Sequence, residues 1–232
     1  MKHFTARYCL LAFALLAFLS LPARADLVTF TTRTAFNAAA PGLPVETFES
    51  GLVAPGGVRI CNGPVSSTAG GDCFPTGALL PGVTFSASPG PALAVLGAGV
   101  AGNTSRVLGP NTFTDTFNLT FANANAAGFD VFAGPGAGNV LISVFDPSNV
   151  LLGTFTVASP VGGTFFGVTN TTGQIGRINI ASLATSPGEL IDNLAFGTTG
   201  APPTAVPEPT TMILLGTGLA GIAAKVRRRR KQ

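Results

Sequence analysis

The chain has 232 residues, and its formal net charge of +3 comes from 13 Lys and Arg against 10 Asp and Glu. That excess lies at the ends: between Asp26 and Gly200 nine acids face four arginines, a net charge of −5, so the middle lacks the clustered cations that nucleic-acid binding needs. The same stretch has no His, Lys, Tyr or Trp, which excludes imidazole-dependent nucleophiles, Schiff-base lysines and His-based zinc sites.

Nine acids are few for a carboxylate-pair enzyme, and a non-enzymatic protein requiring no cofactor is expected. Residues 1–25 hold Lys2 and Arg7, an apolar run from Cys9 to Leu21, and Ala23-Arg24-Ala25. This order reads as a signal peptide cleaved before Asp26, hence an exported chain. Cys9 lies within the apolar run and not at a lipobox.

From Asp26 onward the pattern is of short strands and small-residue turns, long enough for one domain, taken as residues 26–197. Leu27–Thr31 alternates as a strand. Thr34–Ala40 reads as one short helix, capped by Thr32 or Thr34 and stopped by Pro41-Gly42. Val45–Glu49 is a second strand, followed by a long loop to Pro81 that carries Cys61 and Cys73 around NGPVSSTAGGD. In an oxidising compartment an intramolecular disulfide is expected there, with free thiols or an intermolecular bridge as the alternatives.

Strand character resumes at Val83–Ser86 and Ala92–Leu96. In Thr112–Phe121, Phe113, Phe117, Leu119 and Phe121 share one face and the threonines and Asn118 the other, with Asp115 the exception on the apolar side. Gly128–Phe132, Val140–Asp146 and Val150–Val157 follow, the last two joined as a hairpin through Asp146-Pro147-Ser148-Asn149. Thr164–Thr169, Ile175–Ser182 and Leu190–Phe196 bring the total to about ten strands. With no βα alternation, the fold expected is all-β: an antiparallel two-sheet β-sandwich, jelly-roll-like, with one short N-terminal helix.

Residues 198–209 form a Pro-rich stalk ending in Pro207, Glu208 and Pro209, which hold the segment extended. Residues 210–226 are apolar except for Lys225 at their end, and as a helix span roughly 25 Å, long enough to cross a bilayer with adaptation at the flanks. Arg227, Arg228, Arg229, Arg230 and Lys231 in the tail 227–232 act as the stop-transfer cluster and place this end in the cytoplasm.

A Pro-Glu-Pro triplet, one apolar helix and a terminal basic cluster, in that order, closely resemble the PEP-CTERM sorting signal of exported Gram-negative bacterial proteins. The resemblance implies recognition of Pro207, Glu208 and Pro209 by exosortase, an integral-membrane transpeptidase that removes the helix. It also implies anchoring in the inner membrane before processing, and then a place at the cell surface or in the extracellular matrix, where exopolysaccharide is a candidate partner.

VETFES, PGVTFSAS, AAGFDVF and LIDNLAFG also resemble passages in PEP-CTERM passenger domains and, more loosely, in jelly-roll carbohydrate-binding modules. That likeness implies a structural calcium ion near Glu49 and Asp192, and an alternative function as a sugar-binding module acting on exopolysaccharide. The absence of Trp and Tyr weighs against sugar stacking.

Overall fold

The computed structural model describes residues 27–200 apart from 113, 135 and 184–187. The expected signal peptide, the Pro-Glu-Pro triplet, the apolar helix 210–226 and the basic tail lie outside the described residues. No helix among the described residues is long and apolar enough to cross a membrane.

The chain runs β1 (Leu27–Phe30), α1 (Arg33–Ala39), β2 (Val45–Glu46), β3 (Val58–Cys61), β4 (Val65–Ser66), β5 (Val83–Ser88), β6 (Leu93–Leu96) and β7 (Val107–Pro110). It continues through β8 (Thr116–Phe121), β9 (Ala126–Phe132), β10 (Gly138–Phe145), β11 (Leu151–Ser159), β12 (Thr164–Asn170), β13 (Arg177–Ser182) and β14 (Leu190–Gly197). An eight-stranded sheet has the order β1-β12-β9-β14-β7-β6-β3 with β2 on β14, and a six-stranded sheet the order β11-β10-β13-β8-β5-β4. Every pairing is antiparallel. From β8 on, the chain crosses repeatedly between the sheets, giving the expected jelly-roll-like sandwich.

Alternation makes the core. Phe117, Leu119 and Phe121 of β8, Val140, Ile142 and Val144 of β10, and Ile178 and Ile180 of β13 turn inward against Phe129, Val131, Phe166 and Val168 of the opposite sheet. Each fully buried side chain of this kind contributes about 1.5–3 kcal/mol. Asp115, on the apolar side of its segment, is indeed buried, and β8 begins just after it.

The helix is capped by Thr32, whose hydroxyl accepts from the Ala35 N–H at 3.3 Å. Its one buried residue, Phe36, lies on the outer side of the eight-stranded sheet over Gly128 and Gly167, which are partners across β9 and β12. A Cβ at either glycine would come within 2.9 or 2.7 Å of the Phe36 ring, so only glycine leaves this seat flat.

Four departures from expectation concern strand limits. The strand expected from Thr112 begins only at Thr116. The second strand stops at Glu46, because that carboxylate turns inward to accept the N–H groups of Phe48 (2.8 Å) and Leu80 (2.7 Å), pinning both ends of the following loop. That loop is not featureless but contains β3 and β4. A further strand, β7, occupies Val107–Pro110. Cys61 and Cys73 form the expected disulfide, with Cα atoms 5.3 Å apart. The β10–β11 hairpin is present, Asp146 Oδ1 accepting from the Ser148 and Val150 N–H groups while Asn149 takes the positive φ that such a turn demands. Beyond β14 the chain stays tied to the domain through Thr199, whose N–H and C=O both bond to the Asn125 side chain.

Replacing both cysteines by serine is expected to lower stability by about 3 kcal/mol, the loop-closure contribution for a cross-link of this span. The denaturant midpoint, with and without reductant, measures it: reductant should shift the parent protein to the midpoint of the double variant.

Candidate functional site

The polar side chains of the outer eight-stranded face converge where β9 and β14 meet. Asp130 and Asp192 are register partners, and β14 bulges just beyond them. Asn193 makes the bulge by adopting φ +50°, a conformation that Asn tolerates better than most residues. The extra residue lets both Ile191 and Leu194 reach the core while Asp192 stays on the face of Asp130.

Arg33 of α1 reaches this point. Its Nη2 lies 3.1 Å from Asp130 Oδ1 and donates to the Asn193 carbonyl at 3.0 Å, and its guanidinium carbon stands 4.7 Å from the centre of the Phe165 ring. Asn193 Nδ2 donates to Asp130 Oδ2 at 2.9 Å. Asp192 accepts the Asn193 N–H at Oδ1 (2.6 Å) and the Ser105 hydroxyl at Oδ2. A cleft of about 320 Å³ opens here, lined by Thr104, Ser105, Asp130, Phe132, Asp192 and neighbouring glycines.

Glu49 and Asp192, the residues implied as calcium ligands, are gathered by adjacent residues of one loop. Ser105 bonds Asp192, while the Arg106 N–H donates to Glu49 Oε1 at 2.7 Å and its Nη1 lies 2.6 Å from Oε2. The guanidinium also donates to the Glu49 and Val53 carbonyls. Calcium takes six to eight oxygens. Here the oxygens of both carboxylates already accept from protein donors, and the cation beside Glu49 is a guanidinium. No group of three or more His, Cys, Asp or Glu able to hold a metal occurs among the described residues. The arrangement does not fit a calcium ion while Arg106 holds Glu49.

A second hollow, of about 420 Å³, lies between the β10–β11 turn and the β12–β13 loop, lined by Asp146, Leu151, Asn170 and Gln174 among others. Its polar side chains are already engaged: Asp146 as described, Asn170 Oδ1 accepting the Thr172 and Gly173 N–H groups, and Gln174 Nε2 donating to Asn123 Oδ1 at 2.9 Å.

Glu189, which sequence reading did not single out, is the least satisfied acid described. It is buried at the head of β14, its Oε1 accepts the Ser182 N–H at 2.6 Å, and its Oε2 has no partner among the described residues. An acid directly before the apolar LIDNLAF was the one available signal.

Residues 205–230 match the family described as the PEP-CTERM protein-sorting motif. The chain carries a PEP-CTERM sorting signal. The match spans Pro207, Glu208 and Pro209, the apolar segment and all four arginines of the basic cluster, and so marks an exported protein with a C-terminal, membrane-directed sorting signal. No curated protein matches the chain.

Among solved structures, it resembles CsCBM6-3 of Clostridium stercorarium, in complex with cellobiose, at 19% identity and a TM-score of 0.31 over 49% of this chain and 87% of that one. It resembles a mutant of CBM29-2, a family 29 carbohydrate-binding module, at 13% identity and TM-score 0.36 over 65% and 99%. The enzymatically active domain of tailspike protein 4 from bacteriophage CBA120 gives 16% identity and TM-score 0.31 over 50% and 19%. Likenesses this slight carry no functional weight.

Burial, opposed by the Ser182 and Glu189 N–H groups and reinforced by the nearby charge of Asp115, pushes the Glu189 carboxyl up to about 7 from 4.5. Burial likewise raises Asp192 from 3.8 to about 6; the Ser105 and Asn193 bonds oppose the rise, and the charges of Asp130 and Glu49 add to it. In each case the folded state holds a proton that the unfolded chain has lost. The stability contributed is therefore complete below the unfolded values and falls as pH rises through the folded ones. Glu189→Gln is expected to remove the part of this fall that reaches pH 7, and to exceed the parent by about 1–2 kcal/mol at pH 8. Urea unfolding at pH 4, 6 and 8 checks it; parallel profiles for variant and parent would refute it.

Proposed function

We propose that this chain is a non-enzymatic passenger delivered to the cell surface or extracellular matrix. Its signal peptide, residues 1–25, starts export. The apolar helix 210–226 then holds it in the inner membrane with Arg227 to Lys231 in the cytoplasm. Exosortase reads Pro207, Glu208 and Pro209 and releases the passenger from the helix.

The observation that carries this reading is the sorting-motif match over residues 205–230, which covers all three parts of the tail in the order the route requires. The passenger's composition supports a non-catalytic role, since it has no His or Lys, and the carboxylates of Glu46, Glu49, Asp130 and Asp192 all accept bonds within the fold.

One observation favours a second reading, binding of a neutral polysaccharide. Ser86, Asn118, Asn179, Ser143 and Thr154 are successive register partners on β5, β8, β13, β10 and β11. They form a row of hydroxyl and amide groups across the solvent-facing side of the six-stranded sheet, beside Arg177 stacked at 3.9 Å over Phe145. Specific, saturable capture on a glycan array, lost on Asn118→Ala with Asn179→Ala, is the outcome this reading expects.

For the sorting route, mass spectrometry of the surface-exposed protein should show a chain lacking residues 210–232. Glu208→Ala should leave the uncut chain in the inner membrane. An intact basic tail on the surface form would overturn the processing step.

A further inference from the structure

Four strands close the two sheets: β1 and β3 in one, β11 and β4 in the other. An edge strand presents unpaired N–H and C=O groups, and monomeric β-proteins blunt such edges by shortness, charge, proline or bulges. Three edges here follow that rule. β1 and β3 have four residues each, β4 has two, and β3 carries Arg59.

The fourth does not. β11 is nine residues, LLGTFTVAS, with no charge and no proline. Its one irregularity lies at its start, opposite Val144 and Phe145, so Gly153–Ser159 runs in unbroken register with β10, its sole partner among the described residues. Thr154, Thr156 and Ala158 are exposed along it. Exposed apolar residues flank both ends, Leu151 (54%) at one and Val161 (64%) at the other.

We propose that β11 docks antiparallel against β11 of a second copy of this chain, joining two six-stranded sheets into one across a two-fold axis. Charge selects this occupant. Two copies of a domain with net charge −5 repel wherever acids approach, yet Asp146 is the only charged residue between Val131 and Gly176. A charged peptide gains nothing from such an edge, whereas the strand matches itself in length and neutrality. Antiparallel self-pairing also sets the Leu151 end of each copy against the Val161 end of the other, and sends the two Asp146 side chains to opposite ends of the joint. Such a contact is isologous and closes on itself, giving dimers and not fibres.

The test uses the purified full chain in a neutral detergent, by sedimentation velocity over a concentration series, with hydrogen exchange followed in residues 151–159. A concentration-dependent dimer is expected, with β11 amides gaining protection as it forms. Thr156→Lys, at an exposed position that leaves the core intact, should raise the dissociation constant about tenfold by placing like charges across the joint. Mixing Thr156→Lys with Thr156→Glu chains should restore association. A monomer at every concentration, a dimer indifferent to Thr156→Lys, or β11 protection independent of concentration, as when the chain's own residues cover the edge, would each overturn the proposal.

Discussion

Contact between the inner faces of the two sheets is the interaction on which every other feature of this domain depends. The faces meet through phenylalanines: Phe121 of β8 lies 5.7 Å from Phe196 of β14, Phe155 of β11 lies 5.6 Å from Phe166 of β12, and Phe48, in the loop after β2, packs edge-on to Phe85 of β5 at 5.4 Å. Phenylalanine brings aromatic area with no polar atom to satisfy, so the core needs no internal hydrogen-bond network. Strand-to-strand crossings then place the polar positions of each strand outside. The Asp130–Asp192 cluster exists because the bulge at Asn193 lets β14 serve the core and the outer face at once.

Where a strand's stability comes from alternation, it can be read from sequence. NVLISVF shows the period of two plainly and is strand throughout, whereas the alternation read over Thr112–Phe121 becomes strand only from Thr116. β3 and β4 are not legible, because VRIC and VS sit among Gly, Pro and Ser, and only β6, β5 and the disulfide hold them extended. β7, Val-Leu-Gly-Pro, reads as a turn by its Gly-Pro pair. The fold uses that glycine differently: a Cβ at Gly109 would lie 2.2 Å from the Glu189 carbonyl, so the residue is there for close backbone approach between β7 and β14.

The candidate site was legible in part for the same reason. Glu49 and Asp192 do come to one neighbourhood, but the residues that engage them, Ser105 and Arg106, lie in an aperiodic stretch where sequence spacing says nothing about direction. Arg106 decides the chemistry there. Its backbone N–H bonds Glu49 Oε1, and its guanidinium, bonded to Glu49 Oε2 and to the Glu49 and Val53 carbonyls, supplies the positive charge that a metal would otherwise bring and locks the loop before β7 to the loop after β2.

Charge in this chain is divided by task. Most of the cations gather in the terminal segments, four of them arginines that the sorting-motif match covers. Several of the domain's few acids are internal stitches: Glu46 to two backbone N–H groups, Asp130 to α1 and the bulge, Asp192 to the loop before β7. Little charge is left over for solvation. The solvent-facing side of the six-stranded sheet is wetted instead by hydroxyl and amide groups, which hydrogen-bond to water as readily as to one another, as in the Asn118–Asn179 pair at 2.9 Å. A surface of that kind has little long-range field, so it neither steers charged partners nor repels its own copies. What it associates with is decided at contact distance, by unpaired backbone groups and by matched rows of donors and acceptors.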